Sequence, residues 1–297
     1  MSIFVTGASG WIGSATVDTL LAAGYEVTGL ARSDASAKAL QAKGATVLRG
    51  GLDDLDSLRE GSSDAEAVIH LANKHDWSNP AESNRAERTA VETICEVLSG
   101  SNRPFLFASG VAGLAQGRPS TEDDASPFIG PDAPRGGAEN LALGYADKGV
   151  KPIALRFSPT THGDGDHGFI SLIVAAARAK GVSGYVGDGS TGWAAVHRSD
   201  AAEMIRLGLE TAPAGARLHA VGEESVSSKE IAESIGRGLG LPTASIPAEE
   251  AFDHFGFIGN FFAMDLSSSS TMTQKLLEWT PTGPTLADDL ASGSYFR

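Results

Sequence analysis

The chain opens on a junction that few folds accommodate, a short strand passing through a glycine turn straight into a helix. Ile3-Phe4-Val5 is an apolar run carrying β-branched residues, Thr6-Gly7-Ala8-Ser9-Gly10-Trp11-Ile12-Gly13 follows, and Ile12, Ala15, Thr16, Thr19 and Leu20 then recur at helical spacing. Gly7, Gly10 and Gly13 give G-x-x-G-x-x-G, with Ala8 where the commoner fingerprint has its first glycine. Glycines at such a turn let the backbone approach a pyrophosphate, whose charge is then held by free N–H groups and the positive end of the helix dipole. A glycine triplet alone is weak evidence. Its place after a strand, before a helix and at the head of the chain is what gives it meaning.

Strand and helix then alternate. Tyr25–Arg32 reads as a second strand, Ala35–Lys43 as a helix, Ala45–Leu48 as a third strand and Ala67–Ala72 as a continuous apolar strand of the kind a parallel sheet buries on both faces. Residues 81–99 form an amphipathic helix, and Arg103–Gly110 is a fifth strand. The pattern predicts an α/β protein with a doubly wound parallel sheet. The connection 111–133, rich in Gly, Pro, Ser and Asp, is long enough for a functional or mobile segment. A helix is expected over Arg135–Lys148 and a strand over Lys151–Arg156; from about 164 the alternation loosens. Trp193–His197 reads as extended, and Arg217–Val221 as a strand returning to the sheet.

Several side chains stand where a ligand would lie. At the end of the second strand, where an acidic residue would bind an adenosine 2′-hydroxyl, the chain has Arg32 and Ser33, which suit a 2′-phosphate. NADP is therefore the expected cofactor; Asp34, next in line, keeps NAD as the alternative. His70 lies inside a strand and reads as a packed core histidine, whereas His75, next to Asp76, leaves the carboxyl end of a central strand, where open α/β sheets place ligands. The aspartates of Gly163–Gly168 lack the spacing and closing glutamate of a calcium loop, so no metal is expected. Phe252, Phe255, Phe257, Phe261 and Phe262 form an aromatic segment read as core or as the wall of an apolar pocket.

Composition narrows the partners. A formal net charge of −14 over 297 residues disfavours a broad surface for nucleic acid or anionic lipid, so a small molecule is the expected partner and any phosphate must be gripped locally. Cys95, the only cysteine, excludes an internal disulfide, and it sits in a helical pattern as a buried thiol. No basic segment followed by an apolar one opens the chain and no apolar run reaches membrane-spanning length, so a soluble cytoplasmic protein is the expectation.

Taken in order, these motifs resemble the extended branch of the short-chain dehydrogenase/reductase superfamily, of the NAD-dependent epimerase/dehydratase kind. The likeness rests on Thr6–Gly13, Val68-Ile69-His70-Leu71-Ala72, Leu155-Arg156, Gly187-Asp188-Gly189, Val196-His197-Arg198-Ser199-Asp200 and Leu276–Pro281, almost the whole chain. It implies a Rossmann domain over 1–163, with 194–222 returning to it, and a smaller, discontinuous C-terminal α/β substrate lobe made of 164–193 and 223–297. It also implies that Gly7, Gly10, Trp11, Ile12 and Gly13 hold the pyrophosphate, Arg32 and Ser33 the ribose phosphate, and that Leu52 lies beside the adenine. Leu71, Ala72 and Lys74 would follow the ribose and diphosphate, and Ser109, Phe157 and Ser158 approach the nicotinamide. Gly51 replaces the family's usual aspartate. Relatives often dimerise through the helices expected near 81–99 and 135–148, so a homodimer is one expectation and a solvated polar face the other.

The chain departs from the family at the active site. Members normally carry Tyr-x-x-x-Lys, the tyrosine as general acid/base. Aligning on Glu139 puts Arg135 at the lysine position and Pro131 at the tyrosine position, and neither can exchange the proton. Tyr145 is no substitute, since Lys148 stands three residues on. The resemblance therefore implies an NADPH-dependent reduction of a carbonyl or activated C=C of a small apolar metabolite with a non-standard proton donor. His162 is the first choice for that donor, Ser109 takes the family's serine position, and Arg135 anchors the cofactor ribose or a substrate carboxylate. The alternatives are a non-catalytic NADP(H)-sensing protein of the same fold, or an epimerase or dehydratase with retained NAD.

Overall fold

The structure is a computed structural model describing residues 1–297. Strands β1 (Ser2–Thr6), β2 (Glu26–Ala31), β3 (Thr46–Arg49), β4 (Ala67–His70), β5 (Pro104–Gly110), β6 (Lys151–Phe157) and β10 (Arg217–Ala220) form one parallel sheet in the order β10-β6-β5-β4-β1-β2-β3. The order reverses between β1 and β4, so a crevice opens there at the carboxyl ends, and this is where such sheets bind ligands.

The strands belong in this sheet because both of their faces are apolar. Ile3 and Val5 face one layer with Ile69, Leu106 and Leu155, covered by α1 (Trp11–Ala22) and by α7 (Arg198–Thr211). Phe4 faces the other with Val68, Phe105 and Phe107, covered by α3 (Leu55–Asp64) and α4 (Pro80–Leu98), while α2 (Asp34–Lys43) links β2 to β3. Cys95 of α4 is buried there, and burial pushes its thiol up to about 12, which leaves it an inert apolar filler.

Two small sheets stand beside the large one. In the first, β9 (Gly192–His197) pairs with β7 (Thr160–His162) and β11 (Glu223–Ser227); in the second, β8 (Ser183–Val186) pairs with β12 (Thr243–Ile246). α6 (Phe169–Lys180), α8 (Ser228–Leu239), α9 (Ala251–Phe255), α10 (Ile258–Phe262), α11 (Thr271–Leu277) and α12 (Leu286–Ala291) complete the C-terminal part, whose own core includes Ile173, Trp193, Ile231, Phe255 and Phe262. Within the returning segment 194–222, α7 and β10 join the large layer but β9 does not, because its hydrogen-bonding edges are taken by β7 and β11.

Two expectations are corrected. The single helix over 135–148 is broken: Pro134–Gly137 is a tight turn in which Arg135, Gly136 and Gly137 take φ of 55°, 61° and 61°, and only α5 (Ala138–Gly144) is α-helical before a last turn at Tyr145–Lys148. Gly136 packs so closely on α4 that a Cβ would lie 2.5 Å from the Asn84 carbonyl oxygen, a contact a continuous helix could not make. The connection 111–133 is pinned rather than free. Ser120 bridges to Ser268, and Glu122 Oε1 accepts both the amide and the hydroxyl of Thr273 at 2.7 Å.

His70 and His219 are enclosed in β4 and β10. His70 Nδ1 meets the Thr6 hydroxyl at 2.8 Å; Arg156 Nη1 donates to His219 Nε2, so Nδ1–H of His219 donates to the Ser269 carbonyl at 2.8 Å and the ring is neutral. Burial first, then a nearby arginine, pushes His70 down to about 3; burial, then Arg156 against Glu122, brings His219 to about 4. Unfolded histidines protonate near 6.5 and these folded ones do not, so their contribution is complete above pH 6.5 and lost as pH falls toward 4. Denaturant unfolding at pH 7 and pH 5 is expected to differ by about 2 kcal/mol for each of the two, and His70→Leu removes its share of the difference.

Candidate dinucleotide site and active cleft

The crevice is built around the β1–α1 turn. Gly7 has φ 65°, and its carbonyl accepts the Gly10 amide at 2.9 Å. A Cβ on Gly13 would lie 2.1 Å from the Gly7 oxygen, and one on Gly7 would lie 2.7 Å from both the Ala72 nitrogen and the Leu71 carbonyl carbon. The three glycines thus press the turn onto the exit of β4. α1 starts after Gly10 with no side-chain cap and no acid in its first turn, leaving the amides of Trp11, Ile12 and Gly13 for an external anion. These residues fit a dinucleotide pyrophosphate, since any side chain at the glycines would fill the cradle.

Toward the adenosine end, Arg32 is exposed and has no carboxylate partner. Ser33 is the N-cap of α2, its Oγ accepting the Ser36 amide at 3.1 Å. Asp34, the residue that favoured NAD, is occupied: Arg49 at the end of β3 donates to its Oδ1 at 2.9 Å and to the Ser33 carbonyl at 2.7 Å. Sequence reading missed Arg49, yet the β2–β3 register, which pairs Ala31 with Arg49, brings it beside Arg32. Gly51 leaves the space over the Arg32 stem open, and Leu52 packs half-buried against the core behind it. Lys74 reaches Asp53 and Glu82, each at 2.8 Å, so in this state it ties the loop after β3 to α4 instead of lying along the diphosphate.

Toward the nicotinamide end the candidate residues separate. Ser109, at the exit of β5, donates its hydroxyl proton to Glu139 Oε2 at 2.5 Å, and Arg156 binds the same carboxylate through Nη2 at 2.6 Å. Ser109 therefore turns lone pairs toward the cleft and is an acceptor there. Arg135, expected as a cofactor anchor, gives Nε and Nη2 to the buried carboxylate of Glu87 and also donates to the Ala108 carbonyl at 3.0 Å. It braces α4 against β5, a role imposed by the left-handed turn that carries it. Phe157 packs against the core at the end of β6, and Ser158 is buried, its hydroxyl donating to the Thr160 carbonyl at 3.1 Å and its amide to the Ala220 carbonyl at 3.4 Å.

His162 is not in the cleft. It is wholly buried on β7, Nδ1–H donating to Asp289 of α12 at 2.6 Å, with Nε2 facing Glu223 at 3.8 Å. The period-two alternation of β7 is the reason: the side chains of Thr160 and His162 share its buried face, and that of Thr161 lies on the other, half-buried one. Tyr145 is buried in the core under α4. Asp76 caps the amides of Ser78 and Asn79, so it does not orient His75. His75, at φ 50° with its amide on Asn73 Oδ1 at 2.8 Å, is exposed in the loop after β4. Desolvation, then the charges of Arg135 and His167, hold its imidazole below the ordinary histidine value.

The loop also carries Trp77, which stacks on Phe257 at 5.4 Å and meets Phe261 at 5.8 Å and Phe169 at 6.1 Å. Four aromatic rings thus gather at this loop; the sequence pointed separately to the loop that leaves β4 and to the phenylalanine cluster, and only the structure brings them together.

A glycine turn at the switch point of a parallel sheet, with an aromatic cluster at the loop after β4, defines a nicotinamide dinucleotide-binding protein of the extended short-chain dehydrogenase/reductase type. The chain belongs to the NAD dependent epimerase/dehydratase family, whose model matches residues 3–221. It is 46% identical over 297 residues, 100% of both chains, to a protein of Schizosaccharomyces pombe described only as uncharacterized. It is 30% identical over 223 residues, 72% of this chain and 66% of the relative, to the 4-hydroxy-2-methyl-3-oxo-4-farnesyl-3,4-dihydroquinoline-1-oxide ketoreductase of Stigmatella aurantiaca. Its fold matches a dTDP-glucose 4,6-dehydratase from Streptomyces venezuelae with NAD bound, at TM-score 0.78 and 21% identity, covering 100% and 97% of the two chains. No helix is long and apolar enough to cross a membrane.

Gly13→Ala is expected to weaken nicotinamide dinucleotide binding by more than tenfold, about 1.4 kcal/mol, in calorimetry. Gly24→Ala, at φ 84° with open space around it, is the control: strained by about 1 kcal/mol in unfolding experiments, with affinity unchanged.

Proposed function

We propose that the protein is an NADPH-dependent reductase of a carbonyl or activated double bond in a small apolar, ring-bearing metabolite. The observation that carries this reading is the juxtaposition of an open phosphate turn with the aromatic cluster of Trp77, Phe257, Phe261 and Phe169, a surface for a flat apolar substrate. The Stigmatella relative, by its description a reductase of a farnesylated ring ketone, supports the same class. The preference for NADPH is supported by the unpaired Arg32 and by Arg49, which neutralises Asp34.

When bound, the reduced nicotinamide supplies hydride to the substrate carbon. The chain's own part is positioning and proton delivery. Ser109, its proton committed to Glu139, accepts a hydrogen bond within the cleft and orients what lies there. The imidazole of His75, on the loop at the carboxyl end of β4 and close enough to Arg135 and His167 to feel their charges, delivers the proton to the developing oxyanion. The aromatic cluster excludes water from the apolar part of the substrate.

An acid must be protonated to act, and His75 is held below 6.5, so reductive kcat/KM is expected to rise as pH falls through an apparent pKa under that value. His75→Gln flattens the rise and lowers kcat on the order of a hundredfold, while His162→Gln leaves the shape of the profile intact. A profile unaffected by His75→Gln would remove it as the acid. Arg32→Asp is expected to lower the NADPH:NADH ratio of kcat/KM at least tenfold, about 1.4 kcal/mol. The commitment of Ser109 and the burial of His162 favour a second reading, an NADP(H)-sensing protein without turnover; it predicts tight NADPH binding and no NADPH consumption across a panel of aromatic ketones, aldehydes and enones.

A further inference from the structure

Arg198 is a cation without an evident partner. It opens α7, where the positive end of the helix dipole disfavours a guanidinium, it is half-buried, and no carboxylate lies within ion-pair distance of it. Asp200, the acid in the same helical turn, is spent on the amides of Thr282 and Gly283 at 3.1 and 2.9 Å. Arg49, Arg135 and Arg156, the other arginines around the carboxyl edge of the sheet apart from Arg32, each face a carboxylate.

The position of Arg198 is nonetheless fixed. Its guanidinium carbon lies 4.2 Å from the centroid of the Trp11 ring. That ring cannot swing away, because its N–H is bound by the Thr161 carbonyl at 2.7 Å and its edge meets His167 at 5.8 Å and 81°. The Arg198 stem runs over Gly163, where a Cβ would lie 3.0 Å from Cδ and 3.1 Å from Cγ. Trp11 is also the first residue of α1, and its amide is one of those left free above the glycine turn. One residue therefore offers its backbone to the phosphate cradle and its ring as the platform for a cation.

We propose that Arg198, stacked on Trp11, closes the outer side of the cradle and binds the cofactor's pyrophosphate. This rests on the reading that the turn holds a dinucleotide. In a chain of net charge −14, a polyanionic cofactor is repelled overall and has to be met by local charge. Arg32 and Arg198 then bracket it, one at the 2′-phosphate and one at the diphosphate, where a planar fork of donors suits paired phosphate oxygens.

The test separates the two phosphate sites with three ligands: NADPH, 2′-phospho-ADP-ribose, which keeps the diphosphate but lacks nicotinamide, and 2′-AMP, which lacks the diphosphate. Calorimetry on Arg198→Ala is expected to show a common loss of about tenfold for the first two and less than about twofold for 2′-AMP. Arg198→Lys, keeping the charge without the fork, falls between wild type and alanine, and Trp11→Leu, which removes the platform, loses affinity for the same two ligands. Thermal melts of each variant check folding, and Arg198→Lys serves if alanine is not tolerated. Equal affinity of wild type and Arg198 variants for NADPH, an equal loss for 2′-AMP, or an effect confined to substrate KM would each overturn the assignment. If wild type binds none of the three, the dinucleotide reading itself fails; if wild type binds and the variants match it, only the role of Arg198 does.

Discussion

The contact on which the molecule turns is between backbone and backbone, where the Gly7 carbonyl lies against Gly13 and the Gly7 α-carbon against Leu71 and Ala72. No side chain fits at either place. Because the turn is this tight, α1 begins directly above β1 and aims its unpaired amides at the point where the strand order reverses. The other candidate residues are placed relative to that point: Arg32 just after β2, Lys74 and His75 after β4, Ser109 near the end of β5, and Phe157 and Ser158 at the end of β6.

Behind the cleft the chain spends its buried charge on bracing. Glu139 gathers Ser109 and Arg156, Arg156 reaches His219, and His219 reaches Ser268 and Ser269, so one polar chain ties β5, α5, β6 and β10 to the segment before α11. Glu87 does the same for Asn73 and Arg135. These groups are saturated with one another. Breaking one partner would leave another buried charge uncompensated, which makes them architecture rather than free chemistry. The groups still free of carboxylate partners stand on loops and helix starts, Arg32, His75 and Arg198 among them.

Much of this was legible in the residues in order. The glycine spacing, the alternation of apolar strands with amphipathic helices, and Arg32-Ser33 at the end of β2 report local backbone and burial preferences, and the structure carries them in those places. His70 reads correctly as a core residue because an ionisable group inside a continuous apolar strand has few other fates. His162 misleads because a strand of three residues gives no periodicity from which to read its facing. The 135–148 segment misleads because Gly136 and Gly137 are tolerated in a helix by propensity alone, and only the approach of α4 forces them left-handed.

The sequence alone determined that a parallel α/β sheet would form and that its first turn would be shaped for a phosphate, since both follow from contacts between residues near in the chain and from the two faces each strand must bury. Which polar groups remain available was decided only in three dimensions. Asp34 is silenced by Arg49, Arg135 by Glu87 and His162 by Asp289, Ser109 is fixed as an acceptor by Glu139, and each pairing joins residues 15 to 127 positions apart. A hydrogen bond at 2.6 Å depends on the register of strands and the crossing of helices, and no local preference encodes that.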